Sequence, residues 1–273
     1  MNVFRQAVLT MALSFLALSL AHAEPVLRMA TTTSTDNTGL LPVLDAPFEK
    51  KYKVRIDVIA VGSGKALKLA ENGDVDIVFV HDPEAEEKFV AAGWGVDRQA
   101  VMHNDFILVG PAADPAGVKA AKTADEAIKK VADAKAGFVS RGDESGTHVK
   151  EKALWQKAGV TPEGDWYLSV GQGMGAVLRM ADDKGLYTLT DRGTYLSAKD
   201  KLKLQILFEG DPQLFNPYHV MAVNLKKHKH VNYKMAKRYI EYVTGPEGQA
   251  TIANFKVGGQ QLFYPDAPDR KKH

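Results

Sequence analysis

Cysteine is absent from this chain. Disulfides, thiol nucleophiles and Cys-ligated metal are therefore excluded, and stability has to come from packing. A surplus of one charge is missing too: 35 Lys and Arg stand against 33 Asp and Glu, with the signs interspersed. That balance supplies no cationic footprint for nucleic acid or an anionic membrane surface. Long apolar runs are missing after residue 21, because Lys, Asp, Glu or Gly interrupts every later stretch. None of these reaches the ~20 apolar residues that a membrane-spanning helix needs. Tryptophan is scarce, and Trp94, Trp155 and Trp166 are scattered, so core or interlobe packing is their default use.

The long apolar run that is present lies at the N-terminus. Arg5 precedes apolar and small residues from Ala7 to Ala21, and Ala21-His22-Ala23 has the small-x-small pattern that signal peptidase cleaves. Residues 1–23 read as an export signal cut after Ala23; the run is too short for an anchor. The mature chain, about 250 residues, exceeds the usual ~100 to 150 of one domain, so two packed lobes or one large domain is expected.

Downstream, short apolar runs alternate with amphipathic stretches, the pattern of strands feeding helices around a mostly parallel sheet. Residues 26–30, 54–61 and 76–80 read as strands. Leu40–Tyr52 is a helix, with Leu41, Leu44, Phe48 and Tyr52 at helical spacing, and 65–71 is a second. After a strand at 106–109, the Pro/Ala/Gly/Asp stretch 111–117 is expected to carry the chain into a second lobe. There the scheme repeats, with helices at 124–134 and 145–158 and strands at 137–140, 167–170 and 204–208. A return strand at 219–224 and a helix at 233–244, stopped by Gly245-Pro246, close the chain before a frayed tail at 269–273. The expected organisation is α/β, with 24–104 and 217–273 forming one lobe and 105–216 the other.

Three places share one design, in which a strand ends, hydroxyl and glycine residues come next, and a helix begins. They are Thr31-Thr32-Thr33-Ser34, Gly62-Ser63-Gly64 and Ser140-Arg141-Gly142-Asp143-Glu144-Ser145-Gly146-Thr147-His148. The first turn of a helix leaves N–H groups unpaired at the positive end of its dipole, and Ser or Thr hydroxyls add neutral donors. Any one such turn is as readily an ordinary N-cap; three in one chain favour an anion site. Arg141 adds a planar fork of donors that stays charged, with a local ion pair to Asp143 or Glu144 as its alternative use.

Several enzymatic patterns come close and fail. Gly64-Lys65 lacks the P-loop glycine five residues earlier, where Ile59 stands, and the following hydroxyl, where Ala66 stands. Ser145 has Gly142 three residues before it and Gly146 directly after, which breaks the nucleophile elbow. Gly171-Gln172-Gly173-Met174-Gly175-Ala176 fits a loose dinucleotide fingerprint, yet export removes the protein from the nicotinamide pool, and a tight turn with close helix packing is expected. His228-Lys229-His230 has no Cys or carboxylate cluster at ligand spacing and reads as solvated basic surface. No resident metal or cofactor is expected.

In combination, Thr31-Thr32-Thr33-Ser34-Thr35-Asp36, Val61-Gly62-Ser63-Gly64, the 140–148 segment, Gly171-Gln172-Gly173-Met174 and Tyr187-Thr188-Leu189-Thr190-Asp191-Arg192 resemble the TupA-type tungstate-binding proteins. The resemblance covers essentially the whole mature chain. It implies a type II periplasmic binding protein fold: two α/β lobes, a ligand cleft between them and two crossover strands. It also implies a periplasmic monomer that delivers one oxyanion to an ABC transporter permease with its ATPase. Carried onto matching positions, it gives Thr32, Thr33 and Ser63 as ligand-binding residues of the first lobe with Ser34 as neighbour, and Arg141, Ser145 and Thr147 from the second. Thr190 and Arg192 would line or brace the cleft.

The hydroxyl-rich turns alone also suit molybdate, sulfate or phosphate. A phosphate receptor would aim Asp143 or Asp191 at the ligand to accept its proton. A secreted serine hydrolase using Ser145 with His148 as base is the reading from another class, and it lacks an orienting acid and an oxyanion hole. The expectation is a tungstate-binding protein, with molybdate as a second ligand and without enzymatic activity.

Overall fold

The computed structural model describes residues 25–267, Glu144 excepted. The export signal and the tail at 269–273 lie outside the described residues. The chain opens with three strand–helix units. These are β1 (Val26–Thr32) with α1 (Thr33–Asn37) and α2 (Leu40–Tyr52), β2 (Arg55–Val61) with α3 (Ser63–Asn72), and β3 (Ile77–Val80) with α4 (Pro83–Ala91). The chain continues through β4 (Gly95–Gly110), α5 (Ala124–Asp133), β5 (Phe138–Ser140), α6 (Gly146–Lys157), β6 (Tyr167–Ser169) and α7 (Met174–Lys184). It then forms β7 (Thr188–Asp191), α8 (Arg192–Ala198), β8 (Gln205–Phe208), β9 (Phe215–Val223), α9 (Tyr233–Val243) and α10 (Pro246–Asn254). Three two-residue strands end it: β10 (Lys256–Val257), β11 (Gln260–Gln261) and β12 (Tyr264–Pro265).

Two strands join the lobes. In the first lobe the sheet order is β2-β1-β3-β9-β4-β12, with β1 parallel to both neighbours and β9 antiparallel to β3 and β4. The ladder between β4 and β9 ends at Asp105 opposite Phe215, and from Phe106 onward β4 pairs with β7 and β8 of the second lobe. Sequence reading expected only 106–109 of this strand. The earlier part escaped because register shifts after Val96 and after Ala100 break the period-two alternation that marks a strand. The stretch 111–117 therefore comes after the crossing and is held by Tyr187, whose hydroxyl accepts the Ala116 N–H (2.9 Å) and donates to Asp114 (3.0 Å).

Both sheets are covered on two faces. Along β3, Ile77 and Phe79 pack with Phe48 and Tyr239, while Val78 and Val80 face Ala66, Leu67 and Phe89. β4 does the same in the second lobe, with Phe106 and Leu108 against Ile128 and Trp155, and Ile107 and Val109 against Val177 and Tyr195. Double cover makes these strands read as unbroken apolar runs, and it leaves the strand ends as the place where polar groups can meet a ligand. Pro246, read from sequence as a stop, sits in the first turn of α10, where its missing N–H has no partner to lose. No helix among the described residues is long and apolar enough to cross a membrane.

Candidate functional site

The first lobe supplies two hydroxyl turns. Thr32 ends β1 and caps α1, its Oγ1 accepting the Thr35 N–H (3.2 Å) and lying 3.0 Å from Ser34 Oγ. Thr31 is buried and donates to the Phe79 carbonyl (2.7 Å), which ties β1 to β3. α3 begins at Ser63 behind Gly62 without a side-chain cap, so the positive end of its dipole is left for the cleft that Ser63, Gly64 and Lys65 line.

The second lobe holds its turn from beneath. Ser140, the last residue of β5, donates to buried Glu151 (2.8 Å), which also receives Trp155 Nε1 (3.1 Å) and the Tyr167 hydroxyl (2.7 Å). Burial raises the Glu151 pKa against those three hydrogen bonds. Arg141 departs from this anchored strand end. Gly142 comes next in the left-handed region (φ 60°), where a Cβ would stand 2.1 Å from Ser169 Oγ and force that hydroxyl to move, so glycine is favoured.

Arg141 Nε and Nη2 donate to Asp143 Oδ2 (3.1 and 2.5 Å), and Asp143 Oδ1 accepts the Ser145 N–H (3.2 Å). Burial pushes the Asp143 pKa up, but its hydrogen bonds to Ser145 and Arg141 outweigh it and hold the carboxyl below its ordinary value. Ser145 in turn caps α6 by accepting the backbone N–H of His148 (3.3 Å).

These turns line three adjoining cavities between the lobes. One of about 520 Å³ brings Thr32, Thr33, Ser34 and Ser63 opposite Ser145 and Lys150. A second, about 590 Å³, brings Thr33 and Ser34 opposite Arg141 and the start of α7 at Gly173 and Met174. A small one of about 40 Å³ joins Ser34 to Thr147, His81 and Asn216. Ser34 lines all three, which makes it the meeting point of both lobes. Thr190 and Arg192 line none of the three. Thr190 is buried on β7 opposite Ile107. Arg192 grips Asp105 through two hydrogen bonds of 2.6 Å and also reaches Glu209, bracing the point where β4 leaves β9.

A family model described as a PBP superfamily domain matches residues 20–247. The tungstate-binding protein TupA of Peptoclostridium acidaminophilum is 48% identical over 250 residues, which is 90% of this chain and 87% of that protein. The chain belongs to the TupA tungstate-binding protein family. Two solved structures agree in fold. One, described as the tungstate ABC transporter from Geobacter sulfurreducens, is 59% identical with a TM-score of 0.77 and covers 86% of this chain and 100% of its own. The other, TupA from Desulfovibrio alaskensis G20, is 47% identical with a TM-score of 0.84 and covers 89% of this chain and 100% of its own. The two α/β lobes joined by β4 and β9 are those of a periplasmic binding protein.

Sequence reading missed several polar residues of this TupA-family cleft, His81, Asn216, Asn104 and Lys150 among them. His81 Nε2 lies 3.0 Å from Thr32 Oγ1 and 3.3 Å from Ser34 Oγ, and its Nδ1 lies 3.0 Å from Asn216 Oδ1. Asn216 on β9 donates to Asn104 on β4 (2.8 Å), so His81 connects the hydroxyl turn to both crossover strands. Burial lowers the His81 pKa, outweighing the Asn216 hydrogen bond and the charges of Glu86, Asp191 and Asp82. A usable signal existed: His81 directly succeeds β3, and the end of a parallel strand is where such sheets place functional groups. Lys150 gave none.

His228 and His230, read as solvated surface, each donate Nε2–H to a carbonyl at the C-terminal end of α3, those of Glu71 and Gly73 (both 2.8 Å). Among the described residues no group of three His, Asp or Glu could hold a metal ion.

Proposed function

We propose that this chain captures tungstate between its lobes and presents it to an ABC permease with its ATPase. The observation that carries this reading is that donors from both lobes line three adjoining cavities that meet at Ser34. Thr32, Thr33, Ser34 and Ser63 stand on one wall, and Arg141, Ser145 and Thr147 on the other. Tungstate is a dianion whose four oxygens accept hydrogen bonds, so convergent O–H, N–H and guanidinium donors replace its water.

The carboxylates beside the cleft are already engaged. Asp143 serves Arg141 and Ser145, and Asp191 accepts the N–H (2.8 Å) and hydroxyl (2.6 Å) of Thr194. Hydrogen phosphate, which carries a proton, would have to share Asp143 or Asp191 with the donors each already holds, whereas tungstate, molybdate and sulfate need no acceptor. This favours the tungstate reading over a phosphate receptor. Molybdate shares tungstate's charge and shape and is expected to bind as well; smaller sulfate fills the closed site less fully.

A four-oxygen anion, at roughly 30 Å³ per oxygen, fills on the order of 100 Å³. The cleft of about 520 Å³ is much wider, and rotation about β4 and β9 would bring the two walls onto the ligand. Export to the periplasm with cleavage after Ala23, action as a monomer, absence of a resident cofactor and absence of turnover complete the reading. Ser145 Oγ is occupied as a helix cap, which is a binding rather than a nucleophilic role.

Calorimetric titration of the mature protein with tungstate, molybdate, sulfate and phosphate tests this. Tight tungstate binding with phosphate silent supports it; silence toward all four anions, or a preference for phosphate, contradicts it.

A further inference from the structure

Charge on the cleft walls is unevenly spent. Arg141 is met by Asp143, and of the acids lining the cavity of about 520 Å³, Asp82 caps α4 while Glu84 pairs with Lys88 (2.6 Å). Lys150 differs. It stands on α6 in the second lobe, half-buried, and lines the cavity that Thr32, Ser63 and Ser145 share. Its Nζ donates to the carbonyls of Gln213 (2.9 Å) and Phe215 (3.4 Å) and lies 5.8 Å from the centre of the Phe106 ring. No carboxylate among the described residues forms an ion pair with it. Desolvation alone lowers its pKa, as expected of an ammonium with no acid beside it.

An ammonium has three N–H donors, and two are directed at those carbonyls. The third, with a full unopposed charge, remains on the cleft wall. A dianion entering the cleft brings two negative charges, and the Arg141–Asp143 pair has little net charge to set against them. Donors that are neutral, such as the hydroxyls of Thr32, Ser34 and Ser63, replace water around an anion without distinguishing one negative charge from two.

We propose that Lys150 is the charge-selecting residue of the oxyanion site, supplying the positive charge that makes a tetrahedral dianion preferred over a tetrahedral monoanion of similar size. This rests on the tungstate reading above. Carbonyl tethering to the residues that lead into β9 holds the ammonium at the second-lobe wall, so closure delivers its charge to an anion seated on the first-lobe hydroxyls. Lys150→Gln removes the charge while keeping an amide donor for the carbonyls, and Lys150→Arg keeps the charge.

The test is competitive titration of the mature protein and both variants with tungstate and with perrhenate, a tetrahedral monoanion of nearly the same dimensions. The wild type is expected to bind tungstate in strong preference. Lys150→Gln is expected to shrink that preference roughly tenfold, mainly through weaker tungstate binding, because one unit of charge is lost from a partly desolvated wall. Lys150→Arg is expected to retain it. A Lys150→Gln variant that weakens both anions equally, or neither, would overturn the assignment and leave Lys150 as a tether. Failure of the wild type to bind tungstate would overturn the oxyanion reading itself, and this proposal with it.

Discussion

Arg141 leaves a strand end that is anchored by Ser140 on buried Glu151 and is succeeded by a glycine in the left-handed region. Its guanidinium lines the same cavity as Ser34 from the other lobe, and a hydrogen bond to a charged group contributes about 1.5–3 kcal/mol. Arg141→Ala is therefore expected to weaken tungstate binding roughly 10- to 100-fold, read by calorimetry. Arg141 and the hydroxyls were legible because oxyanion chemistry demands those residue types at strand-to-helix turns. His81 and Lys150 were not, because their roles depend on partners 135 and 63 residues away.

Asp45 shows a second residue-scale effect, remote from the cleft. It is buried between α2 and α9, where desolvation raises its pKa from 3.8 to about 7 in spite of the hydrogen bond from Tyr239 (2.5 Å), with Glu49 adding to the rise. The folded carboxyl thus holds its proton more tightly than the unfolded one. Its contribution to stability is full below about pH 4 and is lost as pH rises toward 7. Asp45→Asn is expected to match the wild type near pH 4 and to exceed it by about 4 kcal/mol at pH 8, measured by urea unfolding at the two values.

At the scale of elements, β4 is the part of the fold that sequence hid most effectively. Its bulged half lies in one lobe and its apolar half in the other, and only the apolar half has a readable pattern. Helices α2, α3, α5, α6 and α9 were readable from their caps and periodicity, whereas α1, α4, α8 and α10 were not read as helices; α4 and α10 begin at Pro83 and Pro246. Arg192 belongs to this scale because it fastens α8 to β4 through Asp105, with both side chains largely buried. Arg192→Met leaves the Asp105 carboxylate uncompensated and is expected to cost about 3 kcal/mol in chemical unfolding. The companion outcome is that Asp105→Asn combined with Arg192→Met recovers part of that loss.

At the scale of the whole molecule, each lobe has its own doubly covered sheet and two antiparallel strands join them, which in the proposed function serve as the hinge. Ligand donors divide between the lobes, so a bound oxyanion favours the closed arrangement by the contacts that the open one cannot make. Small-angle scattering is expected to show a smaller radius of gyration with saturating tungstate than without it, and no change with phosphate. The two-lobed plan was legible from a chain that leaves its first lobe and returns. The width of the cleft was not, because it depends on the angle between lobes and not on any local pattern.

The most direct test of the central claim is a crystal structure of the mature protein grown with tungstate, with diffraction collected above the tungsten absorption edge. One anomalous peak is expected in the interlobe cleft, within hydrogen-bonding reach of Ser34, Ser63, Arg141 and Thr147. A peak elsewhere on the molecule, or none in protein shown to be saturated, would contradict the account.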